Sequence, residues 1–154
     1  MKRLNPEYVR AATKLVNGNP YFNLLSMEMK GFELESCTME VEIQKKHLQN
    51  FGIVHGGVCS SLVDAAAFWA VYPQIEEGLG MITVELKINF LARAMSGYLT
   101  ARGKSIKVGN TICLGEATVE NNQGRLLAHG TSTMMVLKDL GIKGSERFPP
   151  KFLD

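Results

Sequence analysis

Residues 49–72 read QNFGIVHGGVCSSLVDAAAFWAVY, a polar loop that leads through Gly56 and Gly57 into an almost wholly apolar segment. The pattern predicts a helix from about Gly57 to Tyr72 that stops before Pro73, because proline disfavours the helical conformation in the residue before it. The N-terminus of a helix offers unpaired N–H groups and a partial positive charge, and glycine lets another group approach the backbone closely. The glycine pair therefore predicts an anion or oxyanion site.

Asp64 is the only charged residue between Val58 and Tyr72. Burying a carboxylate among apolar side chains is costly unless the group is paired or has a function. We therefore expect Asp64 to be a catalytic base or nucleophile, with a purely structural carboxylate as the alternative.

The rest of the chain predicts one α+β domain over residues 1–154. It contains an N-terminal helical segment (1–20), an irregular stretch (21–26), strand material at 28–43 and an extended tail (138–154). Four further segments carry strand patterns or hairpin turns: 83–90, 98–108, 111–120 and 125–137. A helix that is apolar all round is buried only if the sheet wraps it, so we expect a long central helix inside an antiparallel sheet of about five to six strands.

Composition excludes several other classes of protein. The net charge is +2, with Lys and Arg scattered, so no basic stripe indicates a nucleic-acid partner. Cys37, Cys59 and Cys113 lack the spacing of a disulfide framework or a zinc site, which favours the reducing cytoplasm. The apolar helix stops short of a membrane span, so we expect a soluble protein without a membrane partner.

Taken together, these residues resemble the hotdog-fold acyl-CoA thioesterases of the phenylacetate-pathway type, over about residues 20 to 137. The resemblance rests on four features in order: Gln49 three residues before Gly52, the triplet His55-Gly56-Gly57, Asp64 nine residues after His55, and the strand Thr83-Val84-Glu85-Leu86-Lys87-Ile88-Asn89-Phe90. It implies hydrolysis of an acyl-CoA thioester to a free acid and CoA.

The same resemblance implies roles for individual residues. The Gly56 N–H would polarise the thioester carbonyl, Asp64 would be base or nucleophile, and Thr83 would help to place water. Gln49 would be the orienting amide, with Asn50 as its alternative. Some relatives carry a hydroxyl where Phe68 stands here.

Other candidate residues rest on weaker signals. Gly57 and Phe68 are further candidates for substrate contact. His55 is a secondary catalytic candidate whose ring could instead bond the backbone and shape the turn. No metal or cofactor is implied besides CoA as part of the substrate, and from charge alone its phosphates would lie near Arg93, Lys104 or Lys107.

The spacing of Gly56 and Asp64 also predicts a partner. The two residues are eight apart on one helix, or about 12 Å along its axis at 1.5 Å per residue. A carboxylate cannot cross that distance to a carbonyl at its own helix N-terminus, whereas an antiparallel helix of a second chain would bring its Asp64 there. We expect a homodimer with shared active sites, which in such a family can pair into a dimer of dimers. The alternatives are a hotdog acyl-CoA hydratase or dehydratase and a non-catalytic acyl-CoA-binding domain.

Overall fold

The computed structural model describes residues 2–153. Three α-helices are present in this range: α1 (Pro6–Asn17), α2 (Pro20–Leu25) and α3 (Gly56–Val71). The strands are β1 (Arg3–Leu4), β2 (Met27–Phe32), β3 (Ser36–Glu42), β4 (Gly80–Phe90), β5 (Tyr98–Lys107), β6 (Ile112–Asn121), β7 (Leu126–Leu137) and β8 (Phe152–Leu153).

Helix α3 is the centre of the molecule. The His55 side chain caps its first turn, and a 3₁₀ turn containing Pro73 (Tyr72–Gln74) follows its end. Its buried side chains point to several sides of the helix axis, as expected for a helix that the sheet surrounds: Val58, Cys59, Leu62, Val63, Ala66, Ala67, Trp69, Ala70 and Val71.

The large sheet has six antiparallel strands in the order β2-β3-β5-β6-β7-β4. Strands β3 to β7 all contact α3, so the sheet curves around the helix. This arrangement confirms the predicted α+β hotdog architecture, including the number of strands. Strands β2 and β4 form the two edges, and α1 packs against β2.

Three glycines bring the sheet unusually close to α3. A Cβ atom on Gly103 of β5 would lie 2.0 Å from the Ala66 carbonyl oxygen, and one on Gly115 of β6 would lie 2.8 Å from the Ala67 carbonyl oxygen. A Cβ on Gly130 of β7 would lie 2.5 Å from the Lys87 carbonyl oxygen of β4 and 2.9 Å from the Val63 Cγ1 of α3. Because glycine has no side chain, the helix backbone can rest almost directly on β5 at Gly103 and on β6 at Gly115.

Residues 21–26 were expected to be irregular, and that prediction is wrong for most of them. Helix α2 begins at Pro20 because the Asn19 side chain accepts a hydrogen bond from the Tyr21 N–H at 2.8 Å. It ends at Leu25, and the capping residue Ser26 has a left-handed backbone with φ of 52°. Asn19 and Pro20 are a helix-start signal in the sequence, and this signal had been included in the N-terminal segment 1–20.

The tail after residue 138 packs against the body of the protein. Ile142 and Phe148 contact the core, and β8 pairs with β1 in a separate two-stranded sheet. Lys151 is only 2% exposed, and its Nζ donates to the Tyr72 carbonyl at 2.9 Å and the Ile75 carbonyl at 2.7 Å. The tail thus covers the C-terminal end of the central helix.

None of the helices among residues 2–153 combines the length and the hydropathy that a membrane span requires.

Candidate active site

The N-terminus of α3 presents one backbone donor to the surface. His55 Nδ1 accepts the Gly57 N–H at 2.8 Å, so that group is occupied by the cap. The Gly56 N–H, in contrast, has no acceptor within the described part of the chain. The structure thus places His55 and Gly57 in the helix cap and leaves Gly56 as the candidate oxyanion donor.

Gln49 is held close to this N-terminus by a tight turn. Its backbone N–H donates to the Ile53 carbonyl at 2.8 Å, and its carbonyl accepts from the Gly52 N–H at 2.9 Å. Gly52 has φ of +73°, a conformation that glycine adopts without strain. The Gln49 Oε1 accepts from the Phe51 N–H, which orients the side-chain amide. Its Nε2 has no acceptor among residues 2–153 and can therefore donate to a ligand.

Gln49 and Gly56 line the same cavity, here named the amide cavity. Its volume is about 520 Å³, and its other lining residues are Ile53, Val54, Cys59, Phe90, Leu91, Ala92, Arg93, Ala94, Leu99 and Leu127. Of the three cations expected near CoA phosphates, this cavity includes Arg93 but neither Lys104 nor Lys107. The Phe90 ring covers Gly56 so closely that a Cβ there would lie 3.0 Å from two ring carbons.

Asp64 lies two turns further along α3, where two hydroxyl groups hold one of its oxygens. Thr83 Oγ1 of β4 donates to Asp64 Oδ1 at 2.7 Å, and the fully buried Ser132 Oγ of β7 donates to the same oxygen at 3.3 Å. Oδ2 has no hydrogen-bond partner among residues 2–153, and no buried side-chain oxygen in that range is left unpaired. Oδ2 is therefore accessible, while Oδ1 is fixed.

Asp64 lines a second cavity of about 310 Å³, here named the carboxylate cavity. Its walls come from α2, β2, α3 and β4, and they are mainly apolar or aromatic: Tyr21, Phe22, Met27, Ser60, Ser61, Ala65, Phe68, Trp69 and Leu86. Phe68, a predicted substrate contact, lies here. An apolar cavity with a few directed polar groups is typical of small-molecule sites.

Ser132 is a site residue that the sequence did not predict. The strand pattern of residues 125–137 places it in β7, but a serine in a strand gives no sign of contact with a carboxylate on another element. Asn50 is exposed and lines neither of the two cavities described.

Other polar groups outside the candidate site have structural partners. His47 is buried, with Nδ1 accepting from the Gln44 N–H and Nε2 bonding the Leu25 carbonyl. His129 Nε2 lies 3.0 Å from Glu116 Oε2 on the neighbouring strand. Cys59 lines the amide cavity, but burial raises the pKa of its thiol to about 11, so the thiol stays protonated at neutral pH and is a poor nucleophile.

The chain belongs to the thioesterase superfamily, which it matches over residues 51–128, about half of its 154 residues. The 1,4-dihydroxy-2-naphthoyl-CoA hydrolase of Listeria monocytogenes is 27% identical over 114 residues, covering 74% of this chain and 93% of that protein.

Two solved structures show the same fold. A thioesterase from Haemophilus influenzae superposes with a TM-score of 0.81 at 22% identity, over 93% of this chain and 99% of that one. A protein from Streptococcus pneumoniae described as a hypothetical thioesterase, solved with coenzyme A, has a TM-score of 0.66 at 25% identity and covers 72% of this chain and 85% of that one. The structures confirm the predicted hotdog fold, and membership of the thioesterase superfamily together with the hydrolase relative confirms the predicted class of enzyme, a thioester hydrolase.

Proposed function

We propose that this protein hydrolyses an acyl-CoA thioester to a free acid and CoA, with Asp64 as base or nucleophile and the Gly56 N–H as oxyanion donor. The observation that carries the proposal is the arrangement of the two Asp64 carboxylate oxygens. Two hydroxyl groups hold Oδ1, and Oδ2 is left accessible beside an apolar cavity. A carboxylate fixed in this way presents one oxygen in a defined direction, which suits proton abstraction or direct attack.

The reaction would begin with the thioester carbonyl oxygen bound to the Gly56 N–H, with the Gln49 amide as second donor. Attack moves negative charge onto that oxygen, where a positioned donor commonly contributes ~3–4 kcal/mol to transition-state stability. In one route, Asp64 takes a proton from water while the water oxygen attacks the carbonyl carbon. In the other, Asp64 Oδ2 attacks and forms an anhydride, which water then hydrolyses. In both routes the C–S bond breaks and CoA leaves as the thiolate.

The separation of the two cavities supports a site shared by two chains. Gln49 and Gly56 line the amide cavity, whereas Asp64 lines the carboxylate cavity, and an offset of about 12 Å on one helix separates Gly56 from Asp64. Each chain therefore holds two half-sites. A two-fold axis that set two α3 helices antiparallel would bring each amide cavity against the partner's carboxylate cavity.

The edge strand β4 is our candidate for the dimer contact. No other strand among residues 2–153 pairs with its outer edge, and Ile82, Val84 and Leu86 are 43%, 49% and 37% exposed. An apolar, unpaired edge is a template for pairing with another chain. Pairing of two β4 strands would continue the sheet across the dimer, and we propose that such dimers associate further into a dimer of dimers.

We further propose that CoA lies over the amide cavity, with Arg93 near its phosphates, because Arg93 is an exposed cation on that cavity. We propose a cytoplasmic enzyme of the phenylacetate-pathway type. Cys37, Cys59 and Cys113 are free and buried, in agreement with a reducing compartment.

The test of function is a panel of acyl-CoA thioesters with detection of the released thiol, applied to the wild type and to Asp64→Asn. Asparagine keeps the shape of the side chain but can be neither base nor nucleophile, so we expect kcat to fall at least ~100-fold with the fold intact. Turnover by Asp64→Asn within a few-fold of wild type would contradict the role of Asp64. Hydration of enoyl thioesters in place of thiol release would indicate the lyase alternative, and tight binding without turnover would indicate the binding-domain alternative.

The test of the shared site uses two inactive variants, Gln49→Ala and Asp64→Ala, unfolded and refolded together in equal amounts. In a hybrid dimer, one composite site carries both substitutions and the other carries neither. Random pairing makes about half of the dimers hybrids, so about a quarter of wild-type activity should return. Mass-tagged chains would show that hybrids had formed, and no activity from such a mixture would refute the shared site.

A further inference from the structure

Helix α2 contributes a polar group to the carboxylate cavity. Tyr21 of α2 lies against α3, where its hydroxyl oxygen is 2.7 Å from Ser61 Oγ. Tyr21, Ser61 and Asp64 all line this cavity, and Ser61 precedes Asp64 by three residues, which places the two on one face of α3. Tyr21 lies outside residues 51–128, the part of the chain that matches the superfamily.

The hydrogen bonds around Ser61 fix the direction of its bond with Tyr21. Ser61 Oγ donates to the Gly57 carbonyl at 2.9 Å, and a serine hydroxyl has only one proton to donate. Ser61 must therefore accept in its contact with Tyr21, so the Tyr21 hydroxyl is the donor there. With its own proton used, the Tyr21 oxygen keeps lone pairs and can only accept a hydrogen bond from a ligand.

We propose that Tyr21 is a specificity residue that favours acyl groups carrying a hydrogen-bond donor, such as a hydroxyl, and disfavours those with only an acceptor at that position. The proposal rests on the proposed function, since it places the acyl group in the carboxylate cavity. Apart from Asp64 and three hydroxyl groups, the walls of that cavity are apolar, which suits an aryl ring or an alkyl chain.

The expected size of the preference follows from the exposure of Tyr21. The side chain is 53% exposed, so water competes for its oxygen and the preference stays far below that of a fully buried site. A typical net hydrogen bond corresponds to a preference of about tenfold at most.

The experiment measures binding to Asp64→Asn protein by calorimetry, so that it does not depend on turnover. The probes are benzoyl-CoA with 4-hydroxybenzoyl-CoA and 4-methoxybenzoyl-CoA, and octanoyl-CoA with 8-hydroxyoctanoyl-CoA. We expect the hydroxyl member of one or both pairs to bind about three- to tenfold tighter than its unsubstituted partner. Tyr21→Phe should bring that ratio to within about twofold of one while leaving affinity for the unsubstituted thioester within about twofold. Tyr98→Phe, an exposed tyrosine outside the cavity, is the matched control and should leave the ratio unchanged.

A second variant separates recognition from a structural role. Ser61→Ala removes the acceptor of the Tyr21 proton, so the hydroxyl becomes free to donate. Binding of 4-methoxybenzoyl-CoA relative to benzoyl-CoA should then improve by about threefold or more, which loss of packing would not produce.

Equal binding within both hydroxyl pairs, or a preference that survives Tyr21→Phe, would overturn the proposal. An unchanged methoxy ratio in Ser61→Ala would overturn the assigned direction of the hydrogen bond. None of these outcomes depends on hydrolysis. If the wild type failed to release thiol from any thioester while these ratios held, the proposed function would be wrong and the binding preference would stand.

Discussion

Replacement of Gly103 by alanine tests the close approach of helix and sheet. The added Cβ would lie 2.0 Å from the Ala66 carbonyl oxygen and 2.4 Å from its carbonyl carbon, whereas ordinary van der Waals contact begins at 3.4 Å. To relieve the contact with the oxygen, β5 and α3 must therefore move apart by about 1.4 Å (3.4 − 2.0). The nearest atoms belong to backbone, so rotation of a side chain cannot provide it.

Neither element can move easily. Strand β5 is hydrogen-bonded on both sides, to β3 and to β6, and α3 is packed on several sides by buried side chains. Overpacking of a core commonly costs about 1–3 kcal/mol, and a clash between two backbones belongs at or above the upper end. We expect Gly103→Ala to lower the free energy of unfolding by about 3 kcal/mol or more. Movement of α3 would also pull Asp64 away from Thr83 and Ser132, so kcat should fall in the fraction that still folds.

The assay is urea unfolding followed by the fluorescence of Trp69, the only tryptophan and one that is 7% exposed. Gly31→Ala on β2 is the matched control, because a Cβ there meets nothing within 4 Å, and it should change stability by no more than about 0.5 kcal/mol. All variants are compared at one protein concentration, since a dimer's stability depends on it. A Gly103→Ala protein within 0.5 kcal/mol of wild type, with an unchanged m-value, would refute the reasoning.

Three further predictions concern the candidate site and the tail. Gly56→Pro removes the proposed oxyanion donor at the first helical position, where proline is tolerated. Activity should therefore be lost while circular dichroism still shows the helix, and normal turnover would mean that the donor lies elsewhere. Thr83→Val keeps the side-chain shape but removes the 2.7 Å hydrogen bond to Asp64, so kcat should fall about tenfold with KM nearly unchanged. A change in KM alone would contradict a positioning role for Thr83. Burial lowers the pKa of Lys151 from 10.5 to about 8, so between these values the unfolded chain binds more protons than the folded one and the Lys151 contribution to stability rises with pH. The unfolding free energy of wild type relative to Lys151→Met should therefore increase between pH 7.5 and pH 10, and a constant difference would show that the amine does not titrate in this window.

The sequence predicted the central helix and the antiparallel sheet because both have a characteristic local spacing of apolar residues. The run from Val58 to Tyr72 is apolar on all sides, and Thr83 to Phe90 alternates polar and apolar residues. Helix α3 starts and ends within one residue of the predicted positions, and strands β5 to β7 do so within one residue as well. The local sequence pattern was sufficient to predict those helices and strands whose conformation depends mainly on their own residues.

The features that were missed depend on contacts between distant parts of the chain. Ser132 meets Asp64 across 68 residues, and Lys151 reaches Tyr72 across 79. A serine in a strand and a lysine in a polar tail give no local sign of such contacts. The spacing of Gly56 and Asp64 was more informative, because both lie on one rigid helix and their separation follows from its geometry.

The pairing of β1 with β8 has a consequence for how the chain can be connected. Arg3 faces Leu153 and Leu4 faces Phe152, so the two ends of the described chain lie side by side on one surface. A short peptide link between them would close the backbone into a ring without displacing either strand, and the exposed turn at residues 122–124 could then supply new ends. We expect a chain reconnected in this way to form the same sheet, because the link and the new ends lie outside the six strands that surround α3.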